Sequence, residues 1–330
     1  MTTTERPDIS VVVPVFNEEE NLEELYRELA AALQKTGRTH EIILIDDGST
    51  DSSWTTLKRL PQKDGRVKLI RLRRNFGQTA ALAAGFDRAR GEIIISLDAD
   101  LQNDPSDIPL LVQKVEEGYD IVSGWRKSRK DKFLTRRVPS IIANRLISGL
   151  TGVRLHDFGC TLKAFRSEVI KNVKLYGELH RFIPAIASQL GVEIAEVGVN
   201  HRPRKHGKSK YSIARLPKVI LDLLTVKFLL SYSTRPLQIF GLLGLGSFVA
   251  GLVISIWLSV QRLFFGQSLA NRPLLLLGAI LIIIGFQFIM LGLLAEIMVR
   301  AYHESSGKTI YVVREVIDSE AESEPPTTSR

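Results

Sequence analysis

Apolar positions change their period repeatedly along the first 200 residues. Ile9–Val15, Glu41–Ile45, Val67–Leu72, Glu92–Leu97, Asp120–Ser123 and Glu193–Val199 are short apolar runs bounded by polar clusters, and each predicts a strand. Between them the period lengthens. "NEEENLEELYRELAAALQK" spaces Leu22, Leu25, Leu29 and Leu33 at helical intervals, and "GQTAALAAGFDRA" and "PSDIPLLVQKVEEG" behave alike. Strand–helix alternation predicts a mostly parallel α/β sheet with helices on both faces, whose ligands bind beyond the carboxyl ends of the strands.

After residue 235 the pattern loses its polar half. "PLQIFGLLGLGSFVAGLVISIWLSV" (Pro236–Val260) holds no charged residue, and as a helix it rises about 37 Å, enough for a hydrocarbon core of about 30 Å. "PLLLLGAILIIIGFQFIMLGLLA" (Pro273–Ala295) is a second such run. Gly241, Gly244 and Gly246 lie inside the first run with no strand before them. They predict close helix packing, with Gly246 and Ala250 as a small-xxx-small pair, rather than a dinucleotide loop. The expected organisation is a soluble unit over 1–213 with an interfacial helix at about 133–152, then an amphipathic juxtamembrane helix over 214–232. Spans over 236–260 and 273–299, a strand-bearing segment over 300–318 and a disordered tail over 319–330 complete it.

Charge sets the orientation. The chain has 330 residues and a net charge of +8, and the excess crowds just before the first span in Arg202, Arg204, Lys205, Lys208, Lys210, Arg215, Lys218, Lys227 and Arg235. The loop Gln261–Arg272 carries only Arg262 and Arg272. The positive-inside rule predicts a multi-pass protein of the plasma (inner) membrane with residues 1–235 and both termini in the cytosol, facing anionic lipid. No nucleic-acid-binding pattern accompanies the basic cluster, so no nucleic-acid partner is expected. One cysteine, Cys160, excludes an internal disulfide framework, and the N-terminus shows no apolar signal region.

Polar clusters follow the strands where ligands are expected: "PVFNEEE" after the first, "DDGSTD" after the second, "DADLQ" after the fourth. No glycine-rich phosphate loop of either common type occurs there. Asp98 and Asp100, one residue apart at a strand end, hold carboxylate oxygens near one point. Hard cations such as Mg²⁺ or Mn²⁺ favour that donor set and bridge to substrate phosphates. A solvated turn or helix cap explains a lone D-x-D equally well, and Asp104 before Pro105 reads as such a cap. Asp46 and Asp47 at a neighbouring strand end shift the balance, because several carboxylates in one crevice need a cation or protons to coexist.

At these residues the chain resembles the family-two, GT-A-fold glycosyltransferases, and within them the polyprenyl-phosphate glycosyltransferases such as bactoprenol glucosyltransferases and dolichol-phosphate mannose synthases. "VVVPVFNEEENL", "EIILIDDGSTD", "RNFGQTAALAAGFDRARGEIIISLDADLQ", "DFGCTLKAFR" and "HRPRKHGKSKY" carry the resemblance in order. It departs at Asn103-Asp104-Pro105, where the family often has consecutive prolines. The resemblance implies an α/β GT-A nucleotide-sugar domain in which Pro14, Asn17, Glu18, Asp46 and Asp47 line the base and ribose. Asp98, Ala99 and Asp100 would meet the diphosphate, Asp98, Asp100 and Gln102 would be the metal ligands, and Arg204, Ser209 and Lys210 would sit on a basic loop closing over the diphosphate. Arg126, Arg136 and Ser140 are the candidates for the acceptor phosphate. Asp157 is the candidate catalytic carboxylate, as base or as orienting group, with Asp100 beside it in the chemistry; His156 either modulates Asp157 or is incidental, the second reading being favoured.

The expected reaction is an inverting, metal-dependent transfer of one sugar from a nucleotide diphosphate, UDP-glucose being favoured, to polyprenyl (undecaprenyl) phosphate at the cytosolic membrane face. A GDP-mannose-dependent synthase is the alternative donor reading, and an inactive membrane-anchored sugar-nucleotide sensor or scaffold the alternative of another class. A processive polysaccharide synthase is disfavoured, because none of Trp54, Trp125 and Trp257 completes Q-x-x-R-W. "KTIYVVREVI" (Lys308–Ile317) alternates like a strand able to join a sheet edge, its own or a neighbour's, which predicts a homo-oligomer.

Overall fold

The computed structural model describes residues 6–127, 144, 147–149, 151–175, 179–203, 205, 236–266, 273–305 and 309–318. The chain divides into two compact units: Met1–Val226 with Thr309–Arg330, and Lys227–Lys308. In chain order the first contains β1 (Ile9–Val15), α1 (Leu22–Thr36), β2 (His40–Asp46), α2 (Ser53–Leu57), α3 (Leu60–Lys63), β3 (Val67–Leu72), α4 (Gln78–Arg88), β4 (Ile93–Ser96), α5 (Ile108–Glu116) and β5 (Ile121–Trp125). It continues through β6 (Lys163–Arg166), α6 (Ser167–Asn172), α7 (Ile183–Ala187) and β7 (Ile194–Gly198). The second contains α8 (Pro236–Phe265) and α9 (Pro273–Ser305), after which β8 (Val313–Ile317) returns to the first.

The strands form one eight-stranded sheet in the order β7-β5-β6-β4-β1-β2-β3-β8. β1 and β2, Val- and Ile-rich and buried almost throughout, lie near its middle, as strands covered on both faces must. One core forms where the leucine stripe of α1 and the apolar face of α5 cover one side of the sheet; α4 and α6 pack into a second core on the other side. Gly37 closes α1 in the left-handed conformation, its N–H on the Gln34 carbonyl.

Two features differ from the expectation. The sheet is mixed: β6 runs antiparallel between β4 and β5, and β8 runs antiparallel beside β3. β6 escapes the hydrophobic pattern because it is only four residues long and runs straight into α6. β8 completes the edge of its own chain's sheet, with Leu69 opposite Ile317, the first of the two expected pairings. The hydroxyl of Tyr311 donates to Asp87 at 2.7 Å, and Lys68 pairs with Asp318 and Glu41 at 3.1 Å each.

In the second unit both helices outlast the expected spans and pack as a pair. The contact is made by Gly244 and Gly251 on α8, not by Gly246 and Ala250. An added Cβ on Gly244 would stand 2.7 Å from the Gly285 carbonyl oxygen, and one on Gly251 2.7 Å from that of Gly278. Gly246 and Ala250 face outward. The apolar surface away from the seam is bare: Phe264 is 79% exposed and Leu242 75%. Two helices of this length and composition, open over most of their surface, suit hydrocarbon rather than water. The expected interfacial helix at 133–152, apart from a few residues at its C-terminal end, the juxtamembrane helix at 214–232 and the tail at 319–330 lie outside the described residues.

Candidate active site

The carboxyl ends of the parallel strands β1, β2 and β4 converge on one rim of the sheet. Among the described residues two non-glycine positions adopt positive φ, and both sit there: Asn17 at 55°, just past β1, and Leu101 at 57°, just past β4. Asparagine tolerates this conformation and leucine does not, so the turn after D-A-D holds local strain. That turn stacks two acids at the end of β4. Asp98 accepts from the Gln78 amide at 2.6 Å, and Asp100 accepts from the Gln102 main-chain N–H at 3.2 Å. Burial, and then the charge of Asp100, push the Asp98 carboxyl up to about 7.

The rim is laced together from below. Asp46, fully buried, accepts from Ser49 N–H at 3.0 Å and from Arg71 at 3.2 Å. Asp47 accepts from the main-chain N–H groups of Phe76 and Gly77 at 2.7 and 2.9 Å, while burial raises its carboxyl above the usual range. These two acids thus brace the crevice wall. Gly48 permits the bracing: its φ is 69°, and a Cβ there would stand 2.5 Å from the Arg74 carbonyl carbon. Asn17 ties the first loop to the second, accepting from Thr50 N–H at 2.8 Å and donating its own N–H to Ser49 Oγ. Glu18 N–H donates to Ser53 Oγ, and the Glu18 carboxylate accepts from Asn21 at 2.6 Å; Pro14, the last residue but one of β1, stands opposite Ile45. Ala99 packs its methyl in the apolar core with Ile95 and Leu97, so a ligand would meet it through its main chain.

Gln102 also ties two loops together. Its carbonyl accepts from Arg202 N–H at 2.9 Å, and Asn103 bridges to His201, so the basic segment starts on the D-x-D turn. Arg202 is held by Glu28 at 2.7 Å and Asp104 at 2.8 Å, and Lys205 by Glu24 at 2.7 Å. Asp104 also accepts from Ser106 N–H, the expected cap. Arg204, Ser209, Lys210, Arg136 and Ser140 lie outside the described residues.

Asp157 is 3% exposed, and Arg126 grips it with two bonds, Nε to Oδ2 at 2.6 Å and Nη2 to Oδ1 at 2.9 Å. The two residues assigned separately to base and acceptor phosphate are therefore one ion pair. Gly159 N–H adds a third bond to Asp157 at 3.1 Å. Behind them Lys163, buried and with its ammonium pushed below the ordinary lysine range by that burial, donates to the carbonyls of Cys160 and Phe158. A small cavity beside Asp98 is lined by Ser96, Thr161, Lys163, His180 and Arg181. Burial brings the His180 imidazole down to about 3, so it is neutral, and it shares a 2.8 Å bond with Thr79.

Residues 10–174, which contain both acidic strand ends and Asp157, match the model of Glycosyl transferase family 2. The chain belongs to this family. As a family-two glycosyltransferase it is 43% identical over 319 residues to a dodecaprenyl-phosphate galacturonate synthase of Rhizobium johnstonii, covering 96% of this chain and 94% of that one. It is 40% identical over 311 residues to an undecaprenyl-phosphate 4-deoxy-4-formamido-L-arabinose transferase of Pseudomonas paraeruginosa, covering 94% and 90%. The fold is that of glucosyl-3-phosphoglycerate synthase from Mycobacterium tuberculosis, solved with Mn²⁺, UDP and phosphoglyceric acid. There the TM-score is 0.53 at 20% identity, covering 67% of this chain and 78% of that one. Neither of these two relatives is named for glucose, so the glucose expectation loses its ground, while sugar transfer to a polyprenyl phosphate keeps it.

Asp98 and Asp100 are the glycosyltransferase's candidate cation ligands. Among the described residues no third His, Cys, Asp or Glu joins them. Two adjacent carboxylates, one resisting ionisation beside the other, suit an oxygen-seeking divalent ion that takes its remaining ligands from a diphosphate and water. The sequence does not point to Gln78, Lys163, His180 or Glu196. Gln78 reaches Asp98, His180 reaches Thr79, and Glu196 reaches the main-chain N–H groups of His156 and Asp157, all across large sequence separations, and Lys163 is a lysine whose burial no local pattern announces.

Proposed function

We propose that the chain transfers one sugar, with inversion, from a UDP-sugar to the phosphate of a polyprenyl phosphate at the cytosolic face of the membrane. The observation that carries this reading is the Asp98–Asp100 pair, raised on the rim where three parallel strands end, in a chain with two membrane-length helices. The donor class we favour is a uronic acid or a sugar modified at C4, after the names of the relatives, in place of glucose. β8 supports an even number of crossings, because the residues after α9 rejoin the sheet they left before α8.

The chemistry follows from charge. A polyprenyl phosphate, with a second pKa of about 6, is mostly dianionic at pH 7, and its oxygen attacks the anomeric carbon without first losing a proton. The new carbon–oxygen bond forms as the bond from that carbon to the diphosphate breaks, and UDP departs on the opposite face. Asp157, held by Arg126, orients the acceptor, and the positive charge of Arg126 lies on the acceptor side. A divalent cation on Asp98 and Asp100, with Gln102 adjoining, would supply countercharge to the departing diphosphate. Asn17, Glu18, Asp46 and Asp47 shape the wall for base and ribose.

Purified protein in lipid nanodiscs, with Mg²⁺ or Mn²⁺, undecaprenyl phosphate and labelled nucleotide sugar, tests the reading. Label is expected in solvent-extractable lipid from UDP-galacturonate or a C4-modified UDP-pentose, and not after chelation by EDTA. Transfer from GDP-mannose alone would overturn the donor assignment. Nucleotide-sugar binding without transfer from any donor would favour a sensor.

A further inference from the structure

We propose that Glu196 is a positioning residue for Asp157, setting the acceptor side of the site without touching the nucleotide side. This rests on the reading of Asp157 as the acceptor-side carboxylate. Glu196 stands on β7 opposite Ser123 of β5, and its side chain is 11% exposed. Both of its oxygens are spent on one dipeptide. Oε1 accepts from the main-chain N–H of His156 at 2.9 Å and of Asp157 at 3.0 Å. Oε2 meets the His156 N–H at 3.1 Å and the His156 ring Nδ1 at 2.7 Å.

A carboxylate that accepts from two successive main-chain N–H groups fixes the dihedrals between them, and bonds to an ionised acceptor are the stronger kind. The dipeptide is held from a second direction, because the His156 ring stacks on Trp125 with centroids 4.3 Å apart and planes 15° from parallel. Trp125 in turn precedes Arg126, the partner of the Asp157 side chain. Main chain and side chain of Asp157 are thus aimed by separate groups, Glu196 for the first and Arg126 for the second. The nucleotide wall is built from the ends of β1, β2 and β4, so loss of Glu196 acts on the transfer step and not on donor binding.

The test compares Glu196→Ala, Glu196→Gln and Asp157→Asn in full-length protein, reading kcat, KM for undecaprenyl phosphate, and UDP affinity by calorimetry with Mg²⁺ present. Glu196→Ala is expected to lower kcat at least about tenfold, the scale of a small misplacement of a reacting group, with UDP affinity and melting temperature near wild type. Glu196→Gln is expected to recover much of that loss, since its amide oxygen still accepts from both main-chain N–H groups. Wild-type kcat in Glu196→Ala alongside an inactive Asp157→Asn would overturn this inference alone, as would a loss shared equally with UDP affinity or a collapse in melting temperature. Wild-type turnover in Asp157→Asn would overturn the reading of Asp157 and this inference with it.

Discussion

Without a cation, the Asp98 carboxyl costs the folded chain stability at neutral and higher pH. Burial and then the charge of Asp100 push it up to about 7 from an ordinary 3.8, so the fold favours the protonated form. The sign follows: this preference is satisfied at low pH and turns into a growing penalty as pH rises from about 4 through 7. Asp98→Asn is therefore expected to raise the melting temperature in EDTA at pH 8 and to change it little at pH 4, while abolishing transfer. Equal shifts at both pH values would contradict it. The D-x-D pair was legible because its two members are neighbours in sequence. Gln78, which holds Asp98, and His180, which flanks it, are not neighbours, and only folding brings them together. His156, whose sequence context left modulation of Asp157 and an incidental place both open, is bound on two sides, by Glu196 and by Trp125.

The elements divide by how they bury their apolar face. β1 and α1 announce themselves, one by a run that is apolar except for Ser10 and the other by a leucine every three or four residues. The α8–α9 seam was harder to read, because in an all-apolar helix every small residue looks like a contact, and only the partner's position separates Gly244 and Gly251 from Gly246. Gly251→Leu should split the helix pair, since a side chain has no room beside the Gly278 carbonyl; Gly246→Leu, on the open face, should not. Thermal stability in detergent separates the two, with a loss of about 1–3 kcal/mol expected for the first. β8 makes its own prediction. Burial and Asp87 push the Tyr311 hydroxyl up to about 12 from 10, so folding keeps the proton longer than the unfolded chain does. That stabilisation is complete below pH 10 and is lost as pH rises from 10 to 12. Tyr311→Phe should flatten this alkaline limb of the stability curve, and an unchanged limb would refute the assignment.

For the molecule as a whole, the path of the chain matters more than any one contact. It leaves the α/β sheet after β7, passes through two apolar helices, and comes back to pair with β3. The alternation of Lys308–Ile317 made a strand legible but not whose edge it would join, because edge pairing depends on which strand is left open once the sheet has formed. Cutting the chain after Val226 would strip β3 of its edge partner, remove Asp318 from Lys68 and Tyr311 from Asp87, and bare a sheet edge to self-association. A water-soluble catalytic fragment should accordingly come from excision, with residues 1–226 joined to 309–330 by a flexible glycine–serine linker. Light scattering should find the spliced polypeptide dispersed and the truncated one aggregated. The lipid anchor of this enzyme is an insertion stitched into the fabric of its domain, and removing it requires sewing the seam closed.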